Sequence, residues 1–342
     1  MRQDNMEEKI FSNARQFAVV VRNLQDAMRR MNDKFGIGPW TEFHFSKENM
    51  TDMTYYGEPE EYAMNIGISH IGNVEIELIQ PVSGKNIYMD FLDKHGEGLH
   101  HICLDTSDYE KACEILLAAG CPLASSGKIL GQKEADYQLF SYYDCREKLG
   151  FYVELYKVVG DFEGLDWAVD CKIESSELEG KVFSDTRQIS AAVNHLGEYM
   201  QNLKDIFGFE PWECFHFNKD TVSDMKYCGK PYDYKVDIGV TTVGNVDIEL
   251  LSPFTDGNTY YDFIQEHGQG LQHICFETED FERTEKILLA NGCEKVQEGT
   301  VAGGTYYAYY DCRKLLGFYV ELYKNYGDGF DLEKVSFEPE IR

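Results

Sequence analysis

Four polar residues recur in the same order in the two halves of this 342-residue chain, and their types could hold a divalent metal ion. The two sets are Gln16, Glu77, His101 and Glu154, and Gln188, Glu249, His273 and Glu321. Each set offers one imidazole nitrogen and three oxygen groups, which suit Zn, Ni, Co, Mn or Fe(II). Carboxylates placed among aliphatic and aromatic residues, as Glu77 and Glu154 are, are costly unless they are paired or bound to metal.

Side-chain alternation along predicted strands puts each set on one face of a sheet. The strands of the first half are RQFAVVV (15–21), VEIELI (74–79), HICLDT (101–106) and GFYVELYK (150–157). The same alternation places His100 with Ile102 and Leu104 against helices, and Gln272 replaces His100 in the second half. A solvated outer sheet face would give this pattern without any ligand. Recurrence of the whole set favours the metal site.

The chain is a tandem repeat of about 150 residues. GNVEIELIQP (72–81) returns as GNVDIELLSP (244–253), 172 residues later, and YYDCREKLGFYVELYK (142–157) returns as YYDCRKLLGFYVELYK (309–324), 167 residues later. We therefore predict domains at 12–157 and 186–324, a linker at 158–185 and a C-terminal tail at 325–342.

Each copy alternates twice between strand and helix periodicity, which predicts an α+β fold. A helix is expected from Leu24 to Phe35, ended by Gly36. A second helix is expected between a cap at Ser107 or Asp108 and a terminating Gly120.

Composition excludes several classes of partner. The formal net charge of −28, without basic patches, argues against nucleic acid and anionic membranes. No apolar run is long enough for a signal peptide or a membrane span, so a cytoplasmic location is expected. The ten cysteines form no CxxC pair and are expected to be reduced.

These residues resemble the vicinal oxygen chelate superfamily, which includes glyoxalase I, methylmalonyl-CoA epimerase, extradiol dioxygenases and bleomycin-resistance proteins. The resemblance covers both copies. FLDKHGEGLHHICLD (91–105) is most similar to the epimerase branch, and the order Gln, Glu, His, Glu is similar to the ligand set of glyoxalase I. The resemblance implies two tandem glyoxalase-like domains, each built from two βαβββ modules that form a cupped mixed sheet around a divalent metal ion.

The resemblance also implies a reaction. In the two branches a proton is removed next to a carbonyl through a metal-bound enediolate, so a lyase or isomerase acting on a small carbonyl compound or acyl thioester is expected. Glu154 and Glu321 are the implied acid/base residues, and a loose alignment adds Asp237, with Asn65 at that position in the first copy.

The residues that would bind the substrate's carrier group, glutathione or CoA, match the family less well. Glyoxalases hold glutathione with an Arg and an Asn, where this chain has Val20 and Pro81, and Ala192 and Pro253. Glutathione is therefore not expected. A CoA ester would need a local cationic rim, for which the candidates are Lys85, Lys94, Arg146 and Arg313.

Two other functions fit parts of the pattern. A non-haem iron dioxygenase typically uses two histidines and one carboxylate; His44 and His216 recur in both copies but lie outside the four strands. A non-catalytic ligand-binding protein could use the repeated tyrosines Tyr142, Tyr143, Tyr152, Tyr156, Tyr309, Tyr310, Tyr319 and Tyr323. The sequence leaves open whether the sites form within or across the copies, whether both are active, and whether the chain forms a homodimer.

Overall fold

The computed structural model describes residues 9–161, 168–170, 173 and 178–327. The helices are α1 (Leu24–Phe35), α2 (Ile87–His95), α3 (Tyr109–Ala118), α4 (Arg146–Leu149), α5 (Leu196–Phe207), α6 (Thr259–His267), α7 (Phe281–Ala290) and α8 (Arg313–Leu316). The strands of the first copy are β1 (Phe11–Val20), β2 (Thr41–Phe45), β3 (Met50–Tyr55), β4 (Glu58–Pro59), β5 (Ala63–Ile71), β6 (Val74–Ser83), β7 (Gly98–Thr106), β8 (Leu123–Leu130), β9 (Tyr137–Asp144), β10 (Tyr152–Val159) and β11 (Ala168–Asp170). Those of the second copy are β12 (Asp185–Ala192), β13 (Glu213–Phe217), β14 (Val222–Tyr227), β15 (Lys230–Pro231), β16 (Val236–Val243), β17 (Val246–Pro253), β18 (Gly270–Glu277), β19 (Glu294–Val301), β20 (Thr305–Asp311) and β21 (Tyr319–Asn325).

Each copy forms one mixed sheet from two joined modules. The strand order in the first copy is β11-β2-β5-β6-β1-β7-β10-β9-β8-β3-β4. β1 runs parallel to β6, β7 runs parallel to β10, and the two modules meet where β1 pairs antiparallel with β7. The second copy repeats this order without a counterpart of β11 among its described residues. The predicted α+β fold of tandem glyoxalase-like domains is confirmed, and each cup is formed within one copy.

The β3-β4 hairpin was not predicted and contributes to the curl of the sheet. β3 begins five residues after β2 ends, yet it pairs with β8 at the other edge, with Met50 opposite Ile129. The Leu130 N–H also donates to the Asn49 carbonyl at 2.9 Å. Because β2 and β3 lie at opposite ends of the strand order, this short connection brings the sheet edges together around a cup.

The convex face of each sheet carries the main core and six of the eight described helices. The exceptions, α2 and α6, pack their buried residues into the concave-side clusters. Phe17, Ile76 and Val153 pack on the convex face, as the alternation predicts. α1 begins after Asn23, whose side chain accepts from the Asp26 N–H, and ends at Gly36 with φ 66°. α3 begins after Asp108, whose side chain accepts from the Lys111 N–H. Both helix starts follow from capping by a short polar side chain.

The two copies join through a pseudo-twofold contact. The side-chain amide of Asn73 donates to the Asn245 carbonyl at 2.6 Å, and that of Asn245 donates to the Asn73 carbonyl at 2.8 Å. Aromatic rings continue the core across the junction, since Phe11 lies 4.8 Å from Phe207 between ring centroids.

Part of the predicted linker adds an edge strand, because β11 pairs with β2. Residues 162–167, 171–172 and 174–177 of that linker, and most of the predicted tail, lie outside the described residues. The nine described cysteines form no disulfide bond with one another. Within the described ranges, no helix has the length and apolar character needed to cross a membrane.

Candidate metal centres

The first cup brings the three strongest candidate ligands together. His101 Nε2 on β7 lies 3.1 Å from Glu154 Oε2 on β10 and 3.4 Å from Glu77 Oε2 on β6. The Gln16 amide on β1 lies 3.4 Å from the same Glu154 oxygen. All four side chains are buried. They come from four adjacent strands, because the order β6-β1-β7-β10 places one of them on each.

The distances between these side-chain atoms match those expected for ligands of one shared metal ion. Two ligand atoms about 2.1 Å from one metal, at tetrahedral or octahedral angles, lie about 3.0–3.4 Å apart. In addition, Glu77 Oε2 is buried without a hydrogen bond, its contact with His101 lacking hydrogen-bond geometry. A buried, unsatisfied carboxylate oxygen is costly, and a cation would satisfy it. The donor set therefore suits a divalent metal ion, which Gln16, Glu77, His101 and Glu154 would hold.

The second cup repeats the cluster with one difference. His273 Nε2 lies 3.2 Å from Glu321 Oε2 and 3.3 Å from Glu249 Oε2, while Gln188 is half-buried in the wall of the same cup. The Ser190 hydroxyl donates to Glu249 Oε2 at 3.0 Å. The first copy has Ala18 at this position, so its corresponding carboxylate has no such donor.

The electrostatics of each cluster favour bound positive charge. Burial raises the pKa of Glu77 to about 7, against the effect of its contact with His101. Burial opposes a charged His101, but its contacts with Glu154 and Glu77 outweigh burial and raise the pKa of His101 to about 9. The pKa of His273 is raised to about 9 for the same reasons. The two carboxylates of each cluster thus favour the charged form of the histidine between them.

His100 contacts Tyr88 and Phe91 of α2 on the concave side. The prediction that it shares the convex face with Ile102 and Leu104 is therefore wrong. A register shift between β1 and β7 pairs Ala18 with His101 but Val19 with Leu99. This β-bulge turns two successive side chains to the concave side. His100 Nδ1 consequently lies 2.9 Å from His101 Nδ1. In the second copy Gln272 Oε1 contacts His273 Nδ1. His100 and Gln272 therefore each contact the Nδ1 atom of the candidate histidine ligand that follows them in sequence.

The loose alignment of Asp237 with an acid/base residue is not supported by its location. Val236 and Ile238 line the second cup's apolar cluster, so Asp237, between them on β16, points to the opposite face. There its carboxylate is hydrogen-bonded to His216. Asn65 and His44 form the same contact in the first copy, at 2.8 Å. His44 and His216 therefore also lie outside the cups.

The cups have cavities of about 330 Å³ and 420 Å³ beside the candidate ligands. Half of the repeated tyrosines line them: Tyr142, Tyr156, Tyr309 and Tyr323. Tyr143 and Tyr310 pack in the helix-side core instead. Arg15 and Arg187 also line the cups, which strand alternation did not predict. A register irregularity around Ala14 and Gln16 turns Arg15 to the same side as Gln16.

The candidate cationic rim lies away from the two cups. Lys94, Arg146 and Arg313 line a separate cavity between the copies, and Lys85 lies over the Tyr55 ring, 4.9 Å from its centroid.

With this geometry established, comparison with known proteins gives the family. The profile of the Glyoxalase/Bleomycin resistance protein/Dioxygenase superfamily matches residues 15–138 and 187–310, more than half of the chain. The chain belongs to this superfamily. Its members include epimerases and dioxygenases, and the two matched ranges correspond to the two sheets.

Two curated relatives each match a stretch of about 30% of this chain. Mitochondrial methylmalonyl-CoA epimerase of Dictyostelium discoideum is 31% identical over 107 residues, 30% of this chain and 54% of the epimerase. The chain thus spans about half the length of that relative. The uncharacterized protein YqjC of Bacillus subtilis is 28% identical over 102 residues, 30% of this chain and 71% of that protein.

Solved structures match the whole chain at low identity. A mutant of 4-hydroxymandelate synthase from Streptomyces coelicolor covers 95% of both chains with a TM-score of 0.61 and 11% identity. A fusion of a xylose isomerase-like TIM barrel with 4-hydroxyphenylpyruvate dioxygenase covers 95% of this chain and 50% of its own, with a TM-score of 0.52 and 12% identity. At such identities the likeness concerns the tandem fold alone.

Proposed function

We propose that the chain is a metal-dependent lyase or isomerase that moves a proton at the carbon next to a carbonyl group. One observation carries this proposal: among the described residues, each cup directs one imidazole at two buried carboxylates. Two carboxylates allow one to bind metal while the other takes a proton. The local similarity to an epimerase supports the same class of reaction.

The residues of each cup have distinct proposed tasks. Glu77 and Glu249 anchor the metal, and Glu154 and Glu321 exchange the proton with the substrate carbon. The Tyr142 hydroxyl donates to Glu154 Oε1 at 2.7 Å, leaving Oε2 directed at His101. When bound, the divalent cation supplies Lewis-acid stabilisation of negative charge on substrate oxygens. The apolar walls exclude water, which strengthens these electrostatic interactions.

The rival reaction is oxygen activation by non-haem iron. Such sites typically place two histidines and one carboxylate on one face of the metal. His44 and His216, which recur in an FHF pattern, lie on the opposite sheet face. Among the described residues, one imidazole per cup therefore reaches the two carboxylates, since His100 contacts Nδ1 of His101 instead. This composition supports proton transfer over dioxygenase chemistry.

Solvent exchange tests the proposal. The metal-loaded chain is incubated in deuterated water with 2-hydroxy ketones, hemithioacetals or 2-methyl acyl thioesters, and deuterium at the carbon next to the carbonyl is measured by NMR. We expect metal-dependent exchange without oxygen consumption. Metal-dependent oxygen uptake with no exchange would instead establish the dioxygenase.

A further inference from the structure

A cavity of about 420 Å³ lies between the two copies, separate from both cups. We call it the inter-copy cavity. Gly150 and Gly270 lie at a close contact between the copies, since a Cβ on Gly150 would approach Gly270 backbone atoms to 3.0 Å. Gly98 and Gly317 make the related contact. The apolar lining of the inter-copy cavity includes Phe91, Phe263, Leu99 and Leu271.

Two buried nitrogen atoms of the residues lining this cavity lack partners. His100 is 2% exposed and Gln272 is 1% exposed, and the Nε2 atom of each has no hydrogen bond. The Ile87 carbonyl approaches the His100 ring without hydrogen-bond geometry. A buried polar atom without a partner carries a desolvation cost, which a bound ligand would remove.

Both atoms are hydrogen-bond donors. The Gln272 Oε1 contact with His273 directs the amide NH₂ away from His273. If His101 Nε2 binds a metal, as the proposed function requires, its Nδ1 carries hydrogen and donates to His100 Nδ1. His100 Nδ1 then accepts, and Nε2 is the ring atom left to donate.

The charged groups around the cavity also offer donors. Arg146 and Arg313 line it, each stacked on a tyrosine, with guanidinium carbons 4.5 and 4.6 Å from the ring centroids. Asp144 and Asp311 accept from Nε and Nη2 of these arginines. Nη1 of Arg146 is left on the other side, and Nη1 of Arg313 makes a long contact of 3.5 Å with Glu266 Oε2. The lining carboxylate of Glu97 accepts from the Arg22 N–H and pairs with Arg30.

We propose that the inter-copy cavity binds a small molecule with an apolar body and one anionic group, a carboxylate, sulfonate or phosphate. The phenyl and leucine side chains contact the apolar body. The anion accepts from the two arginines, and His100 Nε2 and Gln272 Nε2 offer N–H groups to the same ligand. The ligand would thereby contact His100 and Gln272, which in turn contact His101 and His273, while itself lying outside the two cups.

Fluorescence titration with two dyes tests this site in the metal-loaded chain. The probe is 8-anilinonaphthalene-1-sulfonate, and N-phenyl-1-naphthylamine is the matched dye without the anion. We expect Arg146→Met with Arg313→Met to weaken sulfonate binding about tenfold or more, the loss expected from removing charge-assisted hydrogen bonds, while binding of the neutral dye stays unchanged. Equal binding of the two dyes to the unmodified chain would overturn the proposal.

A matched arginine pair locates the bound dye. Arg15 and Arg187 also stack on tyrosines, 4.8 and 4.7 Å from the centroids, but line the cups. Arg15→Met with Arg187→Met should change sulfonate affinity less than twofold. A loss equal to that of the Arg146 and Arg313 variant would place the anion in the cups and contradict the inter-copy site.

Substitutions at His100 test the buried donors. His100→Gln keeps an N–H group, as the second copy does naturally, and should retain dye binding. His100→Leu should weaken dye binding several-fold. If His100→Leu does not fold, the two single variants Gln272→His and Gln272→Leu provide the same comparison. Equal affinity in the Gln and Leu variants would show that the donors have no part. Because dye binding requires no turnover, failure of the proposed reaction would leave this result interpretable.

Discussion

The Tyr142 hydroxyl donates a 2.7 Å hydrogen bond to Glu154 Oε1. The corresponding hydroxyl in the second copy, on Tyr309, lies instead 3.5 Å from His273 Nε2. The two candidate metal centres share their ligand types but differ in what holds those ligands. This difference allows the centres to be tested separately, using single-site variants of one chain.

Removing the tyrosine hydroxyl should affect the two centres unequally. In a His273→Ala background, Tyr142→Phe is expected to weaken metal binding about tenfold or more, the usual effect of losing a group that orients a ligand. In a His101→Ala background, Tyr309→Phe should change it less than threefold, because the contact is long. Competition with a metal-sensitive dye measures both affinities. A larger effect at Tyr309 would contradict this assignment.

The serine of the second cup should stabilise the metal-free protein. Ser190→Ala removes the donor to buried Glu249 and is expected to lower the free energy of unfolding by about 1–3 kcal/mol. The reverse change, Ala18→Ser, places a hydroxyl near unsatisfied Glu77 Oε2 and should not destabilise the chain. Urea unfolding with a chelator present measures both changes. Destabilisation by Ala18→Ser alone would show that packing, not hydrogen bonding, dominates here.

Metal content should follow the two histidines. We expect at most two divalent ions per chain, one per cup, and about one after either His101→Ala or His273→Ala. The double variant should retain none, whereas His44→Ala with His216→Ala should retain all, since these rings lie outside the cups. Elemental analysis after dialysis measures this. Unchanged metal in the double variant would refute the ligand assignment.

Much of this architecture follows from the sequence because strand alternation and the repeat are strong signals. The placement of Glu77 and Glu154 on the concave face needed only the period of two along VEIELI and GFYVELYK. The βαβββ modules followed from the family resemblance and the order of elements.

The remaining features depend on irregularities that alternation does not encode. Bulges turned His100 and Arg15 to the concave side, and a bulge has no residue signature strong enough to identify here. Asp237 alternates with Val236 and Ile238 and so faces away from the cup, a property that a loose alignment with the family does not capture. The β3-β4 hairpin pairs across about 75 residues of sequence, a tertiary contact that local periodicity cannot predict.

Comparing two glutamate double variants tests the central claim most directly. The measurement is the deuterium-exchange rate at the carbon next to the substrate carbonyl, together with metal content in the same samples. Glu154→Gln with Glu321→Gln should retain much of the metal but lose about 10²–10⁴ in rate, the usual contribution of a general base. Glu77→Gln with Glu249→Gln should chiefly lose metal, and excess metal should restore its rate. Equal metal loss in both variants, with both rates restored by excess metal, would contradict the proposed division between base and anchor.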